Sequence, residues 1–112
     1  MRLTEEIKLY LQQFAPAKRL IGFMNDALKG CTSETEKKQI SCVISEKEQL
    51  VDEIYNLVFR LPDGIELTLI NLRYLNDLTV EQVCAVMFIS KSTYHTHHKK
   101  ALKLLKETRD KK

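Results

Sequence analysis

A chain of 112 residues, 44% apolar and with a net charge of +3, has the makings of one small soluble domain, or of a small domain plus a helical extension, with a modest core. No apolar run approaches the roughly 20 residues of a membrane span, and the charged start Met1-Arg2-Leu3-Thr4-Glu5-Glu6-Ile7-Lys8 lacks a signal-peptide core, so the expected location is the cytoplasm, with no membrane contact. Three cysteines, Cys31, Cys42 and Cys84, have no CxxC spacing; they argue against a disulfide framework and a zinc site and read as small buried or half-buried thiols.

With only 3 Gly and 2 Pro among long periodic segments, the chain reads as all-α. Leu3, Ile7, Tyr10, Leu11 and Phe14 recur at helical spacing and predict a first helix from Leu3 to about Phe14, ended or kinked by Pro16. A second helix restarts there and runs to Leu28, with Leu20, Phe23, Met24, Ala27 and Leu28 on its apolar face and Gly30 as its C-cap. After a loop at Cys31–Ser33, Ser33-Glu34-Thr35-Glu36 fits a capping box for a long helix reaching about Arg60. Val43, Leu50 and Leu57 repeat every seven residues; Ile40, Ile54 and Leu61 nearly supply the partner position, and Lys47 interrupts it. That stripe fits bundling within the chain and homodimerisation equally.

Pro62-Asp63-Gly64 closes the long helix, and Asp63 or Gly64 caps the next, Ile65 to about Tyr74, with Leu67, Ile70 and Leu72 inward. Asn76-Asp77 makes a turn. Thr79-x-x-Gln82 is a second capping box, opening a short helix whose Val83, Val86 and Met87 face the core. Ser90 caps a final helix from Lys91 to about Thr108, after a connection of only two or three residues that forces a sharp crossing.

The charge is uneven. Residues 88–112 carry eight basic and two acidic side chains, a net +6 that leaves −3 on the other 87 residues. A basic end on a slightly acidic body is the asymmetry of a nucleic-acid contact surface. In the last helix Tyr94, Ala101, Leu102 and Leu105 form an inner stripe, with His97 between them. Lys91, Ser92, His95, Thr96 and Lys99 lie on the outward face, as a recognition helix in a DNA major groove requires. His95 and His98 share a face at i, i+3, but two ligands do not make a structural metal site. His98 suits either face.

From Leu57 onward the chain resembles region four of bacterial sigma factors and, more narrowly, the phage-encoded transcriptional regulators of the ArpU/RinA type. The likeness rests on Leu61-Pro62, Leu72-Arg73-Tyr74, Leu78-Thr79-x-Glu81-Gln82-Val83, Ile89-Ser90-x-Ser92-Thr93-Tyr94 and His98-Lys99-Lys100-Ala101-Leu102-x-Leu104-Leu105, in that order. It implies a DNA-reading helix-turn-helix in residues 57–112 and a bracing or dimerising region in residues 1–56. The DNA-binding residues it implies are Lys91, Ser92, Thr93, His95, Thr96, Lys99 and Lys100, with Arg73 at a position often structural or phosphate-contacting. Phe88 stands where the family often has Gly or Asn, so a positive φ there carries strain. His97 stands where an aliphatic residue usually packs.

No GxSxG elbow, glycine-rich phosphate loop or supported triad is present, so neither an enzyme nor a cofactor is expected. The expected function is sequence-specific binding of double-stranded DNA by a transcriptional regulator of a phage or mobile element. Two rivals stand beside it. One is a protein-interaction module that binds RNA polymerase or another protein through residues 34–61. The other is a DNA-packaging accessory protein.

Overall fold

Ile7 and Leu11, one helical turn apart, bury the inner face of the first helix, α1, Arg2–Leu11. The computed structural model describes residues 2–110; Lys111 and Lys112, assigned above to the basic end, and the side chain of Leu3 lie outside the described residues. The chain breaks at Gln12–Gln13, earlier than Pro16 suggests, and Phe14 opens α2, Phe14–Lys29, instead of closing α1. Pro16 thus occupies the first turn of α2, where a missing N–H costs no intrahelical hydrogen bond.

Ser33 caps α3, Glu34–Val58, its Oγ accepting from Glu36 N at 3.4 Å, while the Glu36 carboxylate lies 3.8 Å from the Cys31 thiol. α2 and α3 pack together as an αα-hairpin. The seven-residue stripe turns toward its own chain: Ile54, Leu57 and Leu61 are buried, and Ile40, Val43 and Leu50 are half-buried. α4, Ile65–Ile70, runs directly into a π turn, Asn71–Leu75, and is followed by α5, Val80–Met87, and α6, Lys91–Asp110. The fold is all-α, with no strand and no helix long and apolar enough to cross a membrane among the described residues.

The N-terminal and C-terminal stretches share one core. Ile7, Leu11 and Phe14 cluster with Ile54, Leu69, Tyr74, Tyr94 and Leu105, and α1 packs on α6. Val86, expected inward, is 56% exposed; Val80, Val83, Cys84 and Met87 form the inward face of α5 instead. Cys42 is exposed, whereas Cys31 and Cys84 are half-buried.

The π turn determines how α6 is seated. Its wider ring brings Asn76 N to Asn71 O at 3.0 Å, and the Arg73 guanidinium donates to Leu78 O at 3.0 Å, tying the connection to α5. Tyr74, inside this turn, is buried and shares a 2.7 Å hydrogen bond with His98 Nε2 on α6. The His98 ring also stacks on Tyr94, with centroids 5.3 Å apart. Burial pushes the Tyr74 phenol up to about 12 and, with Lys8 and other cations nearby, holds the His98 imidazole down at about 4.

α5 and α6 are joined by Phe88, Ile89 and Ser90, and Phe88 sits in the left-handed region at φ 57°, ψ 46° with its ring 94% exposed. The ring is anchored by almost nothing, so the strain of this conformation is not repaid by packing. Phe88→Gly should therefore raise stability by about 0.5–1 kcal/mol: relief of roughly 1–2 kcal/mol of left-handed strain outweighs the greater freedom of an unfolded glycine. Thermal melts check this, and an unchanged or lower Tm would contradict it.

The His98 site gives a pH dependence of definite sign. Its folded pKa lies below the ordinary 6.5, so its neutral state stabilises the fold above that value, and this contribution is lost as pH falls toward about 4. Glu66, held below the usual carboxylate range by a hydrogen bond from His97, adds an acid loss of the same sign at lower pH. The drop in Tm between neutral pH and pH about 5 should be smaller in His98→Gln than in the wild type; equal drops would remove His98 as the source.

Candidate nucleic-acid interface

Ser90 starts α6 through its hydroxyl, which accepts from Thr93 N at 3.1 Å and donates to Thr93 Oγ1 at 3.0 Å. The helix then divides sharply by face. Tyr94, Ala101, Leu102 and Leu105 are buried, as the inner stripe requires. Ser92, His95, Thr96, Lys99 and Lys100 are exposed on the other side. Lys103 is exposed one turn beyond Lys99 on the same line, and its i+4 spacing is the signal that extends the candidate site to it.

The other expected site residues are more closely tied to the fold. Lys91 is exposed, but its ammonium lies 3.1 Å from the exposed Glu81 carboxylate of α5. That carboxyl is held below its usual range, first by its own backbone N–H at the start of α5 and then by Lys91. Thr93 is half-buried in the Ser90 cap. Thr96 donates its hydroxyl to Ser92 O at 3.1 Å, leaving the outward lone pairs of that hydroxyl open to a donor. Arg73 is half-buried, bonded to Leu78 O and lying over the Tyr74 ring at 5.4 Å, so its guanidinium shapes the α4–α5 connection.

The three histidines separate. His95 stays exposed, edge-on to Tyr94 at 5.2 Å. His98 turns inward to Tyr74. His97 is half-buried, its Nδ1 2.6 Å from Glu66 Oε2 on α4, and this polar pair replaces the aliphatic contact expected there. Nothing in the local sequence pairs Glu66 with a residue 31 positions later; only the packing of α4 on α6 brings them together. Among the described residues, no three His, Cys, Asp or Glu side chains converge as a metal site would require.

Toward its C-terminus α6 uses its cations internally. Lys106 pairs with Asp110 at 2.8 Å, and the Arg109 guanidinium lies over the Tyr10 ring of α1 at 4.3 Å. The arrangement can therefore offer one outward strip of hydroxyls, an imidazole and ammonium groups, from Ser92 to Lys103. Such a strip suits acceptors in a phosphate backbone and the donors and acceptors of base edges.

No curated protein and no solved structure matches the chain. One family profile matches residues 23–106, from the middle of α2 to the last third of α6, about three quarters of the sequence. On that match the chain belongs to the family described as "Protein of unknown function (DUF1492)".

Proposed function

We propose that the protein is a sequence-specific double-stranded DNA-binding regulator of transcription, with α5 and α6 acting as a helix-turn-helix and the N-terminal half of α6 lying in the major groove. The observation that carries this reading is the exposed strip Ser92, His95, Thr96, Lys99, Lys100 and Lys103, set on a helix whose other side is fixed by burial. The resemblance to sigma region four and to ArpU/RinA-type regulators supports the same reading and suggests a phage or mobile element as its setting.

The geometry supports a division of labour along α6. Lys99, Lys100 and Lys103 would neutralise phosphates, while Ser92, His95 and Thr96, nearer the α5–α6 turn, would meet base edges. Lys91 would exchange Glu81 for a phosphate at small cost, because an ion pair this exposed is weakly held. Arg73 would serve indirectly, by holding the connection that aims α5.

About three to five phosphate contacts per protomer imply a slope of roughly −3 to −4.5 in log K against log[salt]. Lys99→Ala or Lys103→Ala should each flatten it by about 0.9, whereas Lys106→Ala should not. Fluorescence anisotropy across a salt series checks this. The sequence to use comes from unbiased recovery of genomic fragments by the purified protein at near-physiological salt. A single enriched motif that is lost in the combined Ser92, His95 and Lys99 alanine variant supports the reading. Uniform, weak recovery would leave only an electrostatic contact and would defeat it.

A further inference from the structure

The α2–α3 hairpin is an arm with an unfinished core. From residue 18 to residue 43, no side chain is buried, although the span carries Leu20, Ile21, Phe23, Met24, Leu28, Ile40 and Val43. The molecule is correspondingly long, 52 × 33 × 24 Å. Two helices alone bury only the line between them; a bundle needs a second layer.

The two flanks of the arm differ in chemistry. One presents Lys18, Glu48 and Asp52 around a shallow cleft beside Ile21 and Val51. The other holds an open cleft of about 260 Å³ lined mainly by Leu9, Pro16, Leu20 and Leu50, with Lys47 its one charged side chain. Leu9 is 59% exposed there. Phe23, 73% exposed, follows Pro16 and Leu20 along the same flank of α2 at helical spacing. The flank thus carries a projecting ring and an apolar recess side by side, about 10 Å apart for seven residues of helix.

We infer that this flank is a homodimer interface, in which Phe23 of each protomer enters the Leu9–Pro16–Leu20–Leu50 cleft of the other and the two arms form an antiparallel four-helix bundle. A knob and a hole on one face are what a two-fold axis between them needs, since the same patch must complement itself.

The footprint agrees with a modest dimer. α2 is about 24 Å long and two helices are about 20 Å wide, or roughly 500 Å² per protomer and 1,000 Å² in all, near the lower bound for a specific interface. Association in the micromolar range is expected. This inference does not rest on the reading of α6, because its test involves no DNA.

Sedimentation velocity on the full chain across the micromolar range should show a concentration-dependent monomer–dimer equilibrium. Phe23→Glu should weaken it at least about tenfold, as loss of a central aromatic anchor does, with unchanged helical circular dichroism, because Phe23 packs little on its own chain. Ala27→Arg, on the same flank, should do likewise and keeps the test readable if the first variant disturbs α2. Lys18→Glu, on the opposite flank, should leave the equilibrium intact. A wild type that stays monomeric throughout, or a dimer that survives both same-flank changes, would overturn the inference.

Discussion

Tyr74 and His98 meet at 2.7 Å between the π turn and α6, and His98 in turn lies flat against Tyr94 on its own helix. The position of α6 depends on this ring-to-ring contact, because the imidazole sits in the middle of the inner stripe, between Tyr94 and Ala101. A half-buried imidazole is tolerable there only while neutral and hydrogen-bonded. The buried phenol supplies that bond, and the same burial keeps the imidazole unprotonated. A π turn at Asn71–Leu75 then has a structural reason: it adds a residue to the turn that carries both Tyr74 and Arg73, so one ends under α6 and the other over the α4–α5 connection.

From that seat the outward face follows. With Tyr94, His98, Ala101, Leu102 and Leu105 turned in, helical geometry leaves Ser92, Thr96, Lys99 and Lys103 turned out, with His95 and Lys100 on the flanks of that line. The His97–Glu66 pair holds one side of the helix to α4, and the Ser90–Thr93 cap fixes where the helix begins. Phe88 is the exception to this local agreement between sequence and backbone. A residue with a β-carbon in a left-handed turn, its ring almost wholly in water, is conformational cost without packing return. The turn persists because Val83 and Met87 before it and Ile89 and Tyr94 after it are held by the core.

Much of this was legible from local pattern. The Thr79–Gln82 capping box, the Ser90 cap and the inner stripe of α6 each follow from residues within one or two turns of each other, whereas the strain at Phe88 is suggested only by the family resemblance. What failed were features that depend on partners far away in sequence. The break at Gln12–Gln13 reflects Phe14 joining the core from α2, a choice that Pro16 alone does not encode. Val86 looks like a core residue in isolation, yet it is exposed, and Cys84 joins Val83 and Met87 on the inward face of α5 in its place. The π turn itself has no periodicity signature, since it is set by what Tyr74 and Arg73 reach. Glu66 could not be paired with His97 without knowing that α4 lies on α6.

The distribution of cations also changes meaning once the packing is known. A net +6 over residues 88–112 suggests a uniformly basic end. In the fold, Arg109 lies on Tyr10 and Lys106 on Asp110, so the far end of α6 is fastened to α1 and to itself. Lys91 is balanced by Glu81. Among the described residues, the cations left facing outward, Lys99, Lys100 and Lys103, occupy little more than one turn, and the hydroxyls and imidazole lie between them and the α5–α6 connection. A short cluster of ammonium groups beside a polar strip is a surface with direction. On the proposed DNA-binding reading it would orient α6 along a phosphate backbone while its other end carries the groups that would distinguish bases, which a diffuse positive tail of the same charge would not do.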